Sequence, residues 1–270
     1  MPSGPRARHR HGVAAGHGRS AIETTERRPP GEPAALRVVA LNVQHGGGNR
    51  AKAIVAALAA LRPNVVVLSE FHPTSRGVEL LSRLAEIGLS RHESGLSPDP
   101  AYPNTVCIAS EFPIEDVRLP LADSPNRHRV LEASIGGVLV VGVYFPQNEP
   151  KVAFWRNEFL PYARECVGGQ ALLIGDWNSG SHYLDETGAT LYGAPEFEAM
   201  STMGWCDAWR RLNPDGREYT WYSRPYNNGF RLDHAFLSPS LMPRLASVQY
   251  AHETRRPGVT DHSALVVDLR

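Results

Sequence analysis

Eight polar side chains stand at or beside the ends of apolar segments that read as buried strands. They are Asn42, Glu70, Tyr144, Asp176, Asn178, Asp233, Asp261 and His262. Strand ends and loops are where a rigid scaffold holds functional side chains, so we expect these carboxylates, amides and the imidazole to converge. Such a set is typical of a metal-assisted hydrolase.

Two of the carboxylates are candidate metal ligands. Glu70 and Asp261 offer the hard oxygen atoms that Mg²⁺ or Mn²⁺ prefers, and two or three such ligands leave positions open for water and a phosphate oxygen. The three cysteines are far apart in sequence and match neither a zinc-binding spacing nor a disulfide framework. We therefore expect a magnesium or manganese cofactor and a reducing, cytoplasmic location.

The other polar residues fit the remaining needs of phosphoester hydrolysis. That reaction requires an in-line water, a base that accepts its proton, and donors around the phosphorus. Asp176 is the candidate base, and Asn178 is expected to orient the water or a phosphate oxygen. His262 is expected to contact the phosphate while a carboxylate such as Asp233 holds its imidazole. A single Asp after a strand is usually a turn residue, so the joint pattern carries this interpretation.

Apolar periodicity predicts the elements that position these side chains. Residues 36–43 and 64–70 are predicted strands, followed by helices at 49–61 and 77–87 respectively. Further strands are predicted at 105–110, 130–135, 138–145, 171–175, 219–223, 232–237, 245–251 and 263–269, and further helices at 152–166 and 195–203. Many strands and few helices favour a layered α/β sandwich over an all-parallel, doubly wound sheet.

Composition restricts the partners and the domain organisation. Lys+Arg and Asp+Glu number 28 each among 270 residues, so no global charge attracts polyanions. No apolar segment approaches the ~20 residues of a membrane helix, and we expect no membrane partner. Residues 1–33, rich in Gly, Pro, His and Arg, are a predicted disordered tail. One catalytic domain, expected to be monomeric, then spans residues 34–270.

Seven short motifs follow one another in an order that resembles the endonuclease/exonuclease/phosphatase superfamily. They are Leu-Asn-Val at 41–43, Leu-Ser-Glu-Phe at 68–71, Val-Tyr-Phe-Pro-Gln at 143–147, Gly-Asp-Trp-Asn at 175–178, Thr-Trp at 220–221, Arg-Leu-Asp-His at 231–234 and Thr-Asp-His-Ser at 260–263. The resemblance covers essentially everything after the tail. It implies a four-layer α/β sandwich, with two mixed sheets packed face to face and helices outside, and divalent-metal-dependent phosphoester hydrolysis.

The resemblance also implies a role for each matched position. Glu70 would bind the metal with Asn42 and Asp261. Asp176 would activate the water and Asn178 would fix its geometry.

The same comparison of motifs places the phosphate contacts. Tyr144 would touch the phosphate, and Asp233 or Asp261 would support His262 near the scissile group. Tyr-Phe-Pro and Arg-Leu-Asp-His look closest to the apurinic/apyrimidinic endonuclease and exonuclease-like branch. That branch implies a phosphodiesterase acting on DNA or RNA.

Candidate substrate contacts follow from a nucleic-acid substrate. Arginines would pair with backbone phosphates, and aromatic rings would stack on a base or a sugar. We select Arg231 and Trp221, with Arg50, Arg127, Arg129 and Arg224 as further candidates. The sequence departs from that branch at Gln44, Ser69, Gln147 and His234, so a small phosphorylated metabolite or a phospholipid stays open as the substrate.

Two alternatives belong to other classes of protein. A dinucleotide-binding fold would explain a strand, a glycine run at 46–48, a helix and a strand that ends at Glu70, but the glycines are consecutive and the motifs after residue 170 stay unexplained. A non-catalytic phosphate-binding module of the same fold would not need Asp176 and His262, and both are present.

Overall fold

A computed structural model describes residues 35–188, 190–224 and 226–270. The predicted tail at 1–33 lies outside the described residues. All the described residues belong to one compact unit. None of the helices among them is long and apolar enough to cross a membrane.

Within the described residues, fourteen strands form two large sheets and one short hairpin. The strands are β1 (Leu36–Asn42), β2 (Val65–Phe71), β3 (Arg91–Ser94), β4 (Thr105–Ser110), β5 (Glu115–Arg118), β6 (Val130–Ile135), β7 (Val138–Tyr144), β8 (Ala171–Asp176), β9 (Cys206–Asp207), β10 (Trp221–Tyr222), β11 (Gly229–Phe230), β12 (Asp233–Leu237), β13 (Leu245–Ala251) and β14 (Ala264–Leu269). The first sheet has the order β13-β14-β1-β2-β4-β3, the second has the order β5-β6-β7-β8-β12-β9, and β10 pairs with β11.

In the part of the chain that the structure describes, six α-helices flank these sheets. They are α1 (Ala51–Leu61), α2 (Ser75–Glu86), α3 (Pro150–Phe154), α4 (Leu160–Cys166), α5 (Ala194–Thr202) and α6 (Ala208–Leu212). A π-helical turn, Trp155–Phe159, joins α3 to α4. Short 3-10 turns occur at Gly48–Arg50, Arg127–Arg129, Met242–Arg244 and His252–Thr254.

Both large sheets are mixed. β1 runs parallel to β2 and β7 runs parallel to β8, whereas the other pairings within the sheets are antiparallel. This arrangement confirms the predicted mixed sheets. It also excludes the doubly wound dinucleotide-binding fold, whose sheet is mostly parallel and has helices on both faces.

Alternation along the strands explains why the sheets stack. In β1, Val38 and Ala40 pack with residues of the second sheet such as Val140, while Val39 and Leu41 pack on the opposite side. Successive strand residues point to opposite faces, so a strand that is apolar at every position is buried on both. The inner faces of the two sheets form one shared core.

The outer faces of the sheets are covered by helices. Ile54 and Leu58 of α1, with Leu80 and Leu84 of α2, pack against the outer face of the first sheet. The outer face of the second sheet packs against an aromatic cluster from α3, the π turn and α5 that includes Phe154, Trp155, Phe159 and Phe197. The order helix, sheet, sheet, helix confirms the predicted four-layer sandwich.

Candidate active site

Strand register in the second sheet brings three of the predicted site residues into one row. Tyr144 pairs with Asp176 across the parallel strands β7 and β8, and Asp176 pairs with Asp233 across β8 and β12. Gly175 allows β8 to lie close to β7 beside this row, because a Cβ at this position would lie 2.1 Å from the carbonyl oxygen of Val143. The three side chains are therefore placed by backbone pairing, although they come from distant parts of the chain.

A bulge in the first sheet aims Glu70 at this row. The pairing of β2 with β4 shifts between Leu68 and Phe71, and Glu70 takes a left-handed backbone conformation with φ 57°. Bulges and left-handed non-glycine residues are used to redirect side chains at functional sites. The Glu70 carboxylate accepts a hydrogen bond from the His45 amide at 2.8 Å and is 6% exposed.

The amide of Asn42 joins the carboxylates of the two sheets. Its Nδ2 donates to Glu70 Oε1 at 3.1 Å and to Asp176 Oδ2 at 2.8 Å. Its Oδ1 accepts from the backbone amide of Gln44 at 2.8 Å, so the network fixes the orientation of the amide. The metal-binding role of Asn42 stays a prediction; here its nitrogen faces the carboxylates and its oxygen faces the backbone. In this structure it positions Glu70 and Asp176.

Asp176 is a buried carboxylate held by amide donors. It is 1% exposed, and its Oδ1 accepts from the backbone amide of Asn178 at 2.9 Å. Burial raises its pKa, the charge of Asp233 raises it further, and His262 opposes both, which leaves the pKa at about 7. A base with a pKa near the working pH suits proton transfer.

His262 and Asp233 form a buried hydrogen-bonded pair. His262 Nδ1 lies 2.9 Å from Asp233 Oδ2, and this fixes the ring so that Nε2 is the nitrogen left for a ligand. Burial alone would lower the pKa of His262, but the charge and hydrogen bond of Asp233 raise it to about 10. The imidazole is therefore cationic at neutral pH. Of the two carboxylates predicted to support His262, Asp233 makes the contact.

Tyr144 lies beside the Glu70 carboxylate. Its hydroxyl is 3.5 Å from Glu70 Oε1 and accepts a hydrogen bond from Asn104 Nδ2 at 3.2 Å. Burial raises the pKa of the phenol, with Glu70 and Asp176 adding to the shift, so the hydroxyl stays protonated. The Arg129 guanidinium lies 5.1 Å from the centre of the ring.

Asn178 is held from two sides. Its side-chain Nδ2 donates to the backbone carbonyl oxygen of Phe145 at 3.0 Å, and its backbone carbonyl oxygen accepts from Lys151 Nζ. The backbone of Asn178 is left-handed, with φ 47°. Lys151 is buried, and this lowers the pKa of its ammonium group to about 8.

A cavity of about 360 Å³ opens beside these groups. Glu70, Asn178, Asp261 and His262 line it on the polar side, together with Lys151. The apolar side is formed by Leu191, Trp221, Phe230 and Leu232. Asp176 and Asp233 lie behind the lining, in hydrogen-bond contact with Asn178 and His262.

Comparisons with known proteins agree with this geometry. The family model described as Endonuclease/Exonuclease/phosphatase family matches residues 39–262. The chain belongs to this family. A search of curated proteins by sequence finds no match.

Solved structures show the same fold. An AP endonuclease from Archaeoglobus fulgidus is 21% identical with a TM-score of 0.75, over 87% of this chain and 99% of that one. The 3′ phosphatase NExo from Neisseria, bound to a product DNA hairpin, is 24% identical with a TM-score of 0.74, over 87% of this chain and 100% of that one. A 3′–5′ exonuclease, NExo from Neisseria meningitidis, is 24% identical with a TM-score of 0.72, over 87% of this chain and 99% of that one.

Trp221 and Asp261 lie together at the cavity of this family member. Trp221 Nε1 donates to Asp261 Oδ2 at 3.1 Å, and the indole ring lies 5.8 Å from the ring of Phe230. The hydrogen bond links the aromatic wall to the polar side of the cavity. Trp221 lines the cavity, and its contact with a substrate stays a prediction.

Arg231 was predicted to contact the substrate, and this prediction is wrong. Its side chain is 1% exposed and forms ion pairs with Asp185 at 2.7 Å and with Asp207 at 2.7 Å. Its guanidinium is fully engaged by these two carboxylates and does not line the cavity. Arg231 connects the segment after β8 to β9 and β12, and its role is structural.

This buried ion network predicts a loss of stability in acid. Burial alone would raise the pKa of Asp185 and Asp207, but Arg231 lowers both below the usual range. A carboxylate whose folded pKa is depressed stabilises the fold above its unfolded pKa, near 4, and loses that contribution as the pH falls further. We expect the free energy of unfolding in urea to fall below about pH 4.

The matched variant for this measurement is Asp207→Asn. It keeps the helix cap at α6, where Asp207 accepts from the Arg210 amide at 3.1 Å, but removes one titrating group. Its free energy of unfolding should fall less steeply between pH 4 and pH 2.5 than that of the wild type. Parallel curves would show that the network does not cause the acid dependence.

Two residues that sequence reasoning missed also build the site. Ser69 Oγ donates to the carbonyl oxygen of Val143 at 3.1 Å and accepts from the Asp176 amide at 3.3 Å, so it joins the two sheets. Lys151 holds Asn178 as described above. The signals available in sequence were a single serine that ends an apolar run and one of only two lysines in the chain.

The residues present fit a hard divalent cation. Glu70 lines the cavity and receives hydrogen bonds from neutral amides, while the nearest basic side chain, His45, is 3.4 Å away and largely exposed. Residues 35–188, 190–224 and 226–270 contain no group of three His, Cys, Asp or Glu side chains arranged as a complete metal site. Mg²⁺ commonly takes only one or two carboxylates and keeps several waters, so Glu70 and the open cavity suit it.

Proposed function

We propose that this protein is a Mg²⁺- or Mn²⁺-dependent phosphoester hydrolase that cleaves phosphodiester bonds in nucleic acid. The observation that carries the proposal is the convergence of Glu70, Asp176 and the His262–Asp233 pair on one cavity. These groups provide a metal ligand, a base and a cation, which are the parts that phosphoester hydrolysis requires.

Each group has a defined task in this reaction. Glu70, with Asn42 and Asp261, would hold the metal, which would polarise a phosphate oxygen and neutralise developing charge. Asp176 accepts the proton of the attacking water, and Asn178 orients that water. His262 donates from Nε2 to a phosphate oxygen while Asp233 stabilises the imidazolium. Tyr144, whose hydroxyl lies beside Glu70, would donate a hydrogen bond to a phosphate oxygen.

The apolar wall supports nucleic acid as the substrate. Leu191, Trp221, Phe230 and Leu232 offer an aromatic and aliphatic surface of the kind on which a sugar or base can pack. Proteins of the same fold include an AP endonuclease and an exonuclease, and one was solved with a DNA hairpin.

The experiment that tests the substrate class compares three phosphoesters. Purified protein with Mg²⁺ is incubated with a DNA duplex that contains one abasic site, a 3′-phosphorylated oligonucleotide and bis(p-nitrophenyl) phosphate. Cleavage of the backbone of either nucleic acid at a kcat/KM far above that of the small ester supports the proposal. Release of the 3′-phosphate alone would keep nucleic acid as the substrate but overturn phosphodiester cleavage. Turnover of the small ester alone would overturn the nucleic-acid assignment but keep the hydrolase.

The metal role of Glu70 predicts a change in metal requirement. Glu70→Gln keeps the hydrogen-bond acceptor but removes the charge that a cation needs. We expect the Mg²⁺ concentration for half-maximal rate to rise more than about 10-fold, since losses of this size follow even from changes behind the ligands. The measurement is a Mg²⁺ titration of the hydrolysis rate. Glu86→Gln, an exposed carboxylate on α2, is the control and should leave the titration unchanged.

A further inference from the structure

A second cavity of about 740 Å³ adjoins the candidate active site. Gln44, Trp221 and Asp261 line both cavities, so the two share one side. The second lies between the loop that follows β10 and the loop that precedes β14. We name it the arginine groove after the four arginines that line it, Arg50, Arg224, Arg255 and Arg256.

The charge of this groove differs from that of the whole chain. The chain has equal numbers of basic and acidic residues, but the described lining of the groove combines four arginines with a single carboxylate, Asp261. Asp261 is shared with the active-site cavity. A cleft lined by one sign of charge concentrates ligands of the opposite sign, so the groove favours an anion.

Two of the arginines are held in place by neutral partners. Arg50 donates to the carbonyl oxygens of Val43 at 2.9 Å, Gln44 at 2.5 Å and Val259 at 2.5 Å. Arg255 donates to the carbonyl oxygen of Tyr219 at 2.6 Å, and its guanidinium lies 4.5 Å from the centre of the Tyr222 ring. Carbonyl groups orient a guanidinium without cancelling its charge. These two side chains therefore lose little freedom when they bind an anion.

The other two arginines are exposed. The guanidinium groups of Arg224 and Arg256 form no hydrogen bond or ion pair with the described residues. Arginine pairs with phosphate through two parallel hydrogen bonds, and an unpaired guanidinium on a concave surface is available for this contact. Four guanidinium groups, two of them unpaired, spread along one groove exceed what a single phosphate can use, whereas a polynucleotide presents phosphates at regular intervals.

We propose that the arginine groove binds the phosphodiester backbone of the same nucleic-acid strand whose scissile phosphate enters the active-site cavity. This inference rests on the proposed function and adds a direction to it, because the strand must pass Trp221 toward Arg224 and Arg256. The protein would then favour polynucleotides over mononucleotides. Its contacts in the groove carry affinity but no base sequence, since phosphates are identical along a strand.

The test measures binding without turnover. The Kd of a labelled 12-nucleotide single strand is measured by fluorescence anisotropy in EDTA at several salt concentrations. The full-length wild type is compared with the double variant Arg224→Gln/Arg256→Gln, which removes two exposed charges and no described contact. Each lost phosphate contact should lower the slope of log Kd against log salt by about 0.7, so we expect a decrease of about 1.4.

A matched variant controls for net charge. Arg62→Gln/Arg164→Gln removes two exposed or half-exposed arginines that do not line the groove, and it should keep the wild-type slope. The arginines of residues 1–33 are present in all three proteins and cancel in the comparison. Equal slopes for the groove variant and the wild type would overturn the proposal, as would equal losses in the two double variants.

Hydrolysis of bis(p-nitrophenyl) phosphate separates this proposal from the proposed function. The wild-type protein is assayed for this reaction, because a small ester has no second phosphate that could occupy the arginine groove. A reduced slope in a protein that hydrolyses no ester would support the groove and overturn the hydrolase. Hydrolysis of the small ester together with an unchanged slope in the groove variant would support the hydrolase and overturn the groove.

Discussion

Replacing Asp176 with asparagine is expected to lower kcat for phosphoester hydrolysis by about 10²- to 10⁴-fold, the usual contribution of a positioned base. The amide keeps the volume of the carboxylate, and its single oxygen can still accept from the Asn178 backbone or from Asn42, but it cannot take a proton from water at neutral pH. KM should change little, because Asp176 lies behind the cavity lining. The measurement is steady-state hydrolysis of an abasic-site duplex.

Folding and charge are controlled in the same experiment. Asp176→Asn should keep the wild-type circular dichroism spectrum and thermal midpoint, since no cavity is created. Asp123→Asn, which removes an exposed carboxylate from a loop, should keep the wild-type rate. If Asp176→Asn stays within threefold of the wild type, another group is the base.

Replacing Arg231 with methionine is expected to lower the free energy of unfolding by about 3–5 kcal/mol, the usual cost of removing one partner from a buried ion pair. Asp185 is 0% exposed and would lose both hydrogen bonds that it receives from Arg231, while Asp207 would lose its two. Arg210, which pairs with Asp185 at 2.6 Å, and His234, whose Nδ1 lies 3.4 Å from Asp207 Oδ2, would remain beside the two carboxylates. Urea unfolding measures the difference.

Arg37→Met is the matched control for this change. Arg37 also pairs with an aspartate, Asp268, at 2.7 Å, but both side chains are partly exposed, at 33% and 23%. Exposed pairs contribute about 0–1 kcal/mol, so this variant should stay close to the wild type. Equal losses in the two variants would contradict the assignment of Arg231 as a buried structural residue.

The sequence predicted the central strands well because burial leaves a clear pattern. β1, β2, β7 and β8 are apolar at nearly every position, and the observed bounds differ from the predicted ones by one residue at most at each end. Strands buried on both faces must be apolar throughout, so such runs are informative on their own.

The edge strands were missed for a physical reason. β3 (Arg91–Ser94) and β5 (Glu115–Arg118) are polar and largely exposed, and they become strands only by pairing with β4 and β6. Their sequences contain no periodicity that distinguishes them from loops. The predicted strand at 219–223 is observed as the shorter β10, in a hairpin separate from both large sheets.

The residues of the site were easier to predict than the hydrogen bonds and ion pairs that they form. Strand ends identified Glu70, Asp176, Asp233 and His262, and the structure brings them together. Arg231 was misassigned because its partners are 46 and 24 residues away, and nothing local shows that two aspartates enclose it. The orientation of the Asn42 amide likewise depends on carboxylates from two different sheets.

Nicking of a duplex that contains a single abasic site is the measurement that tests the central claim most directly. Wild-type protein with Mg²⁺, the same protein with EDTA, and Asp176→Asn with Mg²⁺ are compared on one labelled substrate. The account predicts nicking by the wild type with Mg²⁺, none above background with EDTA, and a rate about 10²- to 10⁴-fold lower for the variant. Nicking that persists in EDTA or in Asp176→Asn, or wild-type protein that binds the duplex and never cleaves it, would contradict the account.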